Sequence, residues 1–312
     1  MAGLTPRSAT SKSAAARPDE QSEAGLHTSP AWGARLVRFV RRKPLGALGG
    51  CIVLGMLVLA LFAPWLAPYS PETFIEGGSA RLQPPSWRFP MGTDNLGRDI
   101  LSRVIHGARL SMLVGFVSTF FGTGLGAVLA LVTAYLGGRW DLLAQRLMDV
   151  LWAFPSLVIA IVIIAVLGRS TTNLIIAIAI VVIPSAARVV RSAVLVVKET
   201  DYVQAARAVG ASQWHIIWHA IAPNCLAPYL IIATASLGGA IITEASLSFL
   251  GLGVPPPAPS WGRDLFGSAQ KFAELAPWMP IMPGLAISLT VYGFNLFGDA
   301  IRDILDPRLR GG

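Results

Sequence analysis

Residues 201–224, DYVQAARAVGASQWHIIWHAIAPN, form an amphipathic stretch between two long apolar segments. The pattern predicts two short helices that meet at Gly210, because glycine readily adopts the left-handed backbone that ends a helix. Ala205 and Ala206 give the first helix a slim surface with high helical propensity, and Ser212 is a candidate cap for the second. An amphipathic hairpin inside an apolar chain is expected in the water phase, as a surface for a protein partner. The alternative is an interfacial helix that lies on lipid, where Trp214 and Trp218 would also be accommodated, and the Ala-Ala-x-x-x-Gly spacing favours the partner.

The composition is typical of a membrane protein. Apolar residues make up 54% of the chain and charged residues 13%, with a mean hydropathy of +0.60, whereas soluble domains carry about 25% charged residues. A helix of roughly 20 apolar residues crosses the hydrocarbon layer. We therefore predict an all-α fold with six spans, of which Pro184 should kink or end the fourth. The spans are 45–69, 110–135, 147–167, 173–190, 226–250 and 280–301.

The basic residues predict which side of the membrane each loop occupies, because Lys and Arg collect on the cytoplasmic side. Placing the N-terminus inside puts 17 of the 25 Lys and Arg residues on that side. The hairpin and both termini are then cytoplasmic. The net charge of +8 is also compatible with nucleic-acid binding, but clusters such as RFVRRK at 38–43 lie beside spans, which favours topology and attraction to anionic lipid.

The chain divides into four predicted segments. Residues 1–34 are rich in Ser and Ala and are expected to be a disordered tail. They do not read as a cleaved signal peptide, because the apolar run begins too late. Residues 35–69 form an anchor helix, residues 70–109 an outside segment, and residues 110–312 the core, with the hairpin region at 198–224.

The outside segment changes character in its second half. Thr93 and Asp94 are candidate caps of an amphipathic helix that lies along the outer face and leads into the second span. Its charged face either contacts a partner or is solvated, and we favour the solvated alternative. In the second span, Gly122 and Gly126 are four residues apart, a spacing that permits close helix approach.

Ionisable groups inside membrane spans are costly and often functional. Glu244 falls near the outer boundary of the fifth span, where it either lines a pathway or supports a gate by holding the outer loop in place; we favour support. Asn295 lies toward the cytoplasmic end of the sixth span. There we predict a charge network that either touches a partner or is solvated. Its members are Asp299, Arg302, Asp303, Asp306 and Arg308.

Several chemical functions lack the residues that they need. His215 and His219 share a helical face, but no third metal ligand accompanies them, so we predict a solvated or interface pair. Cys51 and Cys225 indicate no disulfide framework. The sequence contains neither the Gly-x-x-x-x-Gly-Lys-Ser/Thr phosphate loop nor a recognisable nucleophile motif. We expect no metal site, no bound ATP and no catalysis in this chain.

The hairpin resembles the signature loop of the membrane subunits of binding-protein-dependent ABC importers. In the branch of dipeptide, oligopeptide and nickel permeases, that loop begins Glu-Ala-Ala, continues to a Gly and ends Ile-x-Pro. Gln204 replaces the usual Glu and Ala222 the usual Leu. Gln keeps the length but not the charge, so the resemblance implies docking rather than an ion pair at 204. The matching coupling residues are Gln204, Ala205, Ala206, Gly210, Ile221 and Pro223.

Other segments are similar to the same branch, in the expected order along residues 35–312. They are GTDNLGRDILSRVIHGAR at 92–109, then Arg146, Asp149, Phe154 and Pro155, then EASLSFLGLG at 244–253, SWGRD at 260–264 and FGDAIRDILDPRLR at 297–310.

The resemblance implies the second of two permease subunits, with the type I importer fold, in a bacterial inner membrane. Its implied partners are a second homologous permease subunit, two ATPase subunits that use ATP and Mg²⁺, and an extracytoplasmic substrate-binding protein. The hairpin would couple ATP-driven movement to alternating access, and this chain would bind no cofactor. Dipeptides or oligopeptides are favoured as the commonest cargo of the branch, with nickel or another small solute as the alternative.

Two other classes fit the sequence less well. A self-sufficient secondary transporter needs intramembrane ion-coupling residues and usually two repeated halves, but we find one intramembrane carboxylate, Glu244, and no clear repeat. An intramembrane enzyme needs a catalytic constellation, and none is recognisable.

Overall fold

The computed structural model describes residues 40, 41 and 43–305, and these residues are helical apart from loops and one bridge between Thr93 and Asp99. The predicted tail at 1–34 lies outside the described residues. The helices are α1 (Pro44–Leu61), α2 (Ala63–Leu66), α3 (Ile100–Leu136), α4 (Gly138–Trp152), α5 (Ser156–Leu167), α6 (Thr171–Val197), α7 (Asp201–Ala208), α8 (Gln213–His215), α9 (Ala222–Phe249), α10 (Trp261–Phe272) and α11 (Trp278–Leu305). Ile75–Gly78 forms a 3₁₀ turn, and Ile216–Ile221 forms a π turn that joins α8 to α9.

Five helical stretches are long and apolar enough to cross a membrane: α1, α3, α6, α11 and the run Gln213–Phe249 that ends in α9. A sixth crossing exists if the bent pair α4 and α5 counts as one span. The predicted all-α membrane fold is confirmed. The third span differs from the prediction, because it is a bent pair of helices.

The third predicted span, 147–167, was expected to be continuous and is not. The chain turns by 90° between α4 and α5. Pro155 lacks an N–H donor and disfavours helical backbone at Phe154, so the helix ends before it. Ion pairs hold α4 against α6: Arg191 donates to Asp141 at 2.7 and 2.8 Å, and Arg188 to Asp149 at 2.8 Å.

The fourth predicted span does not end at its proline. Helix α6 runs from Thr171 through a buried Pro184 to Val197. The glycine face of α3 packs closely on both sides of this proline. A methyl group at Gly122 would lie 2.6 Å from the Ala179 carbonyl oxygen, and one at Gly126 would lie 2.6 Å from that of Ile183. The predicted glycine contact is confirmed, and this packing holds α6 together across Pro184.

The outside amphipathic helix and the second span are one 37-residue helix, α3. Its cap is Asp99, which accepts from the Ser102 N–H at 2.8 Å, and not Thr93 or Asp94. Asp94 instead fixes the preceding loop and accepts from Arg98 Nε at 2.6 Å. The predicted solvation of its charged face holds for Arg109, which is exposed, but not for Arg103, which is only 3% exposed.

The anchor helix α1 packs closely on α11. Gly49 and Gly293 lie at the crossing, where a methyl group on Gly49 would come within 2.7 Å of Leu296 Cβ, and one on Gly293 within 2.6 Å of Ile52. Lys43, at the start of α1, pairs with Asp303 near the end of α11 at 2.5 Å. The N-terminal anchor is therefore part of the bundle.

Candidate functional site

The hairpin 201–224 has the predicted backbone. Helix α7 ends at Ala208, and Gly210 adopts φ +80°, in the left-handed region. Ser212 caps α8 by accepting from the His215 N–H at 3.3 Å. A methyl group at Gly210 would meet no heavy atom within 4 Å. Glycine is thus favoured at this turn by backbone conformation rather than by lack of space.

The apolar face of the hairpin is directed into the bundle. Ile216, Ile217 and Ile221 are at most 1% exposed and pack in a core cluster with Leu131 of α3 and Val190 of α6. Ile221 is one of the residues for which the resemblance implies coupling. In the structure its side chain is fully buried and fastens the hairpin to the spanning helices, so it is not part of the exposed surface of the hairpin.

A π turn connects the hairpin to α9, and the sequence analysis missed it. Residues five apart lie one above the other in such a turn, which places Ile216 and Ile221 on the same buried face. Pro223 supplies no N–H at the first turn of α9. Within the same turn, the Ala220 carbonyl accepts from Asn224 Nδ2 at 2.7 Å and from Tyr202 Oη at 3.4 Å. Pro223 is the feature of the sequence that could have indicated an irregular turn at this point.

The outer surface of the hairpin combines small and large side chains. Gln204, Ala205 and Pro223 are exposed, while Ala206 is half-buried against the core cluster. The large exposed side chains are Tyr202 (48%), Val209 (84%), Trp214 (60%) and Trp218 (44%). Exposed tryptophans beside a slim alanine face are typical of a protein interface.

The two histidines of the hairpin stack on each other. The His215 and His219 rings are 4.4 Å apart at an angle of 16°. Within residues 43–305, no group of three side chains that could hold a metal ion includes them. The pair adds flat, polar surface next to the exposed tryptophans.

The opposite end of the bundle, which we call the far end, contains the start of α3, the end of α9 and α10. There Glu244 is fully buried. Its carboxylate accepts from Ser111 at 2.9 Å, from Ser248 at 2.8 Å and from Ser260 at 3.4 Å. These hydroxyls join α3, α9 and the residue before α10 through one side chain.

A second polar link at the far end joins α3 to α10. Arg103 donates to both carboxylate oxygens of Asp264, at 2.5 and 3.1 Å, and to the Pro71 carbonyl at 3.0 Å. Trp261, 1% exposed, donates from its indole N–H to the Val104 carbonyl at 2.8 Å. The sequence analysis identified SWGRD by resemblance only and did not predict these contacts.

Arg263 completes the far end. It donates to the Val254 carbonyl at 2.9 Å and to the Ala258 carbonyl, which fixes the loop between α9 and α10. Burial lowers the pKa of the Arg263 guanidinium below its usual range.

The predicted charge network at the end of α11 is only partly covered by the described residues. Asp303 pairs with Lys43 of α1, while Asp299 and Arg302 make no ion pair with any residue between 43 and 305. Asp306 and Arg308 lie outside the described residues.

Comparison with known sequences identifies the family. The profile described as the binding-protein-dependent transport system inner membrane component matches residues 122–311, and that of the N-terminal TM domain of oligopeptide transport permease C matches residues 32–85. The di/tripeptide transport system permease protein DppC of Pseudomonas aeruginosa (strain UCBPP-PA14) is 46% identical, over 91% of this chain and 98% of its own. The glutathione transport system permease protein GsiD of Escherichia coli O1:K1 / APEC is 42% identical, over 88% and 90%.

The fold is similar to that of solved importers. An inward-facing structure of the MetNI methionine ABC transporter aligns with 66% of this chain and 98% of its own, with a TM-score of 0.55 at 18% identity. The resemblance inferred from the hairpin and the later motifs is thereby confirmed. This chain belongs to the family of binding-protein-dependent transport system inner membrane components.

Proposed function

We propose that this chain is a permease subunit of an ATP-driven peptide importer, and that the hairpin transmits the movement of partner ATPases. One observation carries the proposal. The hairpin exposes Ala205, Trp214 and Trp218, while Ile216 and Ile221 fasten it to α3 and α6. A force applied to the exposed side therefore reaches the spanning helices without passing through a loose connection.

The mechanism follows from this arrangement. Closure of the ATPases displaces α7 and α8, and the π turn carries the displacement into α9. Helices α3 and α6 move with α9, because the same core cluster contacts all of them. Two permease halves that move in this way alternate between openings to the two sides of the membrane.

The proposed partners are the other subunits of a binding-protein-dependent importer. A second homologous permease completes the pathway, two ATPase subunits bind ATP and Mg²⁺, and an extracytoplasmic binding protein delivers the cargo. This chain binds no cofactor. The hairpin and both termini face the cytoplasm of a bacterial cell, as the basic residues favour.

Short peptides are the proposed cargo, since one relative is named for di- and tripeptides and another for glutathione. Glu244 supports the far end rather than contacting the peptide, because it is fully buried and its oxygens are occupied by serine hydroxyls.

The test is uptake by the assembled transporter. The chain is reconstituted in liposomes with its second permease and ATPases, and labelled dipeptide, tripeptide and glutathione are supplied with the binding protein. We expect peptide uptake only when ATP is supplied on the side of the membrane that the hairpin faces. Uptake without ATP would indicate a secondary transporter, and uptake of nickel without peptide would overturn the proposed cargo. Omission of the binding protein is the control.

A further inference from the structure

The exposed face of α11 changes character halfway along the helix. Its exposed positions follow helical spacing, so they form one stripe. The half nearer the far end exposes Ile281, Leu285, Ser288 and Leu289, and is mostly apolar. The half nearer the hairpin exposes Tyr292, Asn295, Asp299 and Arg302.

This polar half lies within the bundle and does not extend beyond it. The Lys43–Asp303 pair lies at the start of α1, and Asp303 follows Asp299 by one turn of α11. Gly49, in the second turn of α1, packs against Leu296. From Tyr292 to Arg302 the stripe covers about 15 Å of helix. A stripe in contact with lipid remains apolar up to the boundary, so this one faces something wet or polar.

Among the residues that the structure describes, few partners are found for these polar side chains. Asn295 makes no hydrogen bond, and Asp299 and Arg302 make no ion pair, with any part of the chain that the structure describes. Asn295 nevertheless has a fixed place, since a methyl group at Gly238 of α9 would lie 2.8 Å from its Oδ1. Gly238 leaves room for the amide between the two helices.

A groove between α9 and α11 connects these groups. It has a volume of about 340 Å³ and is lined by Ile231, Ala235, Asn295, Gly298, Asp299 and Arg302. That volume falls at the lower end of the range of small-molecule sites. An amide, a carboxylate and a guanidinium on one side face two small or apolar residues of α9.

We propose, building on the proposed function, that this groove is a contact site for the backbone and charged termini of a short peptide in transit. The Asn295 amide both donates and accepts, as a peptide bond does. Asp299 complements an ammonium terminus and Arg302 a carboxylate. These two residues are three apart and share a helical face, about 5–6 Å between their Cβ atoms. A dipeptide, with termini about 7 Å apart, has matching dimensions.

Thiol accessibility tests the groove. Cys51 and Cys225 are the only cysteines of the chain, so Cys51→Ser and Cys225→Ser give a background without thiols. Ala235→Cys and Ile231→Cys, which line the groove without supplying any of the proposed peptide contacts, are added singly, with Leu285→Cys on the apolar half of α11 as the control. The assembled transporters, in lipid nanodiscs with both faces open, are treated with a charged methanethiosulfonate, with and without millimolar dipeptide.

We expect labelling at positions 235 and 231, slowed at least fivefold by dipeptide, and no labelling at 285. No labelling at 235 would show that lipid or the second subunit covers the groove, and labelling that dipeptide leaves unchanged would show a wet surface without cargo. Either result overturns the proposal.

Transport by one further pair separates this inference from the proposed function. Asp299→Asn should lower peptide uptake at least tenfold, while Asp303→Asn, which removes the charge paired with Lys43, should retain at least half. Uptake by the unmodified transporter tests the proposed function alone. Equal uptake by the two variants would count against the groove and leave the importer standing.

Discussion

At the far end of the bundle Glu244 is fully buried and three serine hydroxyls donate to it, whereas at the hairpin end Gln204 and Ala205 face outward and Trp214 is 60% exposed. At the far end, the buried side chains of Glu244 and Arg103 are hydrogen-bonded to other parts of the chain. At the hairpin end, the buried side chains are apolar, and they include Val203 as well as the three isoleucines. One end of this subunit thus bonds its buried polar side chains to its own chain, whereas the other exposes large side chains on the surface that we propose contacts a partner.

The largest effect is expected from breaking the far end by steric overlap. Gly262→Val places a side chain where a methyl group alone would lie 2.1 Å from the Ala245 carbonyl oxygen. Because the obstacle is backbone, we expect a loss of more than about 3 kcal/mol and little folded protein. Gly267→Ala is the control, since a methyl group there meets nothing within 4 Å. Thermal unfolding in detergent measures both, and equal stability would show that α10 is not held as described.

The next effect comes from the buried carboxylate. Glu244→Leu leaves the hydroxyls of Ser111, Ser248 and Ser260 without their acceptor in a buried site. Unsatisfied buried groups cost about 1–3 kcal/mol each where no other partner is found, so we expect a clear fall in thermal stability. Thr243→Val, one residue earlier, removes only a hydroxyl that bonds its own helix, and should have a much smaller effect. If the two variants unfold at the same temperature, the hydroxyl cluster does not stabilise the far end.

The smallest effect is expected at the hairpin surface. Gln204→Glu restores the charge usual in the family at an exposed position, so stability should change by less than about 0.5 kcal/mol. We also expect uptake to stay within twofold, because docking rests on shape rather than on an ion pair at this position. Ala205→Glu, on the slim face next to it, should reduce uptake more strongly. A large gain with Gln204→Glu would mean that an ion pair is missing in this chain.

Local patterns predicted the hairpin well. Gly210 and Ser212 act within a few residues, so spacing along the chain was sufficient to find the turn and the cap. The contact at Gly122 and Gly126 was also predictable, because small residues four apart in a span allow another helix to pack closely.

The far end could not be predicted in the same way, since its partners are remote in sequence. Arg103 and Asp264 are 161 residues apart, and Ser111 and Glu244 are 133 apart. From the sequence alone, Arg103 was interpreted as part of a solvated charged face. Contacts remote in sequence also decide the different effects of the two prolines. Pro155 ends its helix, whereas α6 continues through Pro184, because α3 packs closely on both sides of Pro184.

The central claim is that the hairpin couples ATPase movement to transport, and Gly210→Val tests it most directly. Valine at φ +80° is strained, while no neighbour blocks the side chain, so the turn should distort without loss of the bundle. Gly210→Asn, which tolerates this backbone better, is the matched control. We predict normal membrane insertion and thermal stability for both, with ATP-driven peptide uptake lost in the valine variant and largely kept in the asparagine variant. Normal uptake by a correctly inserted Gly210→Val transporter would contradict the assignment of the hairpin as the coupling element.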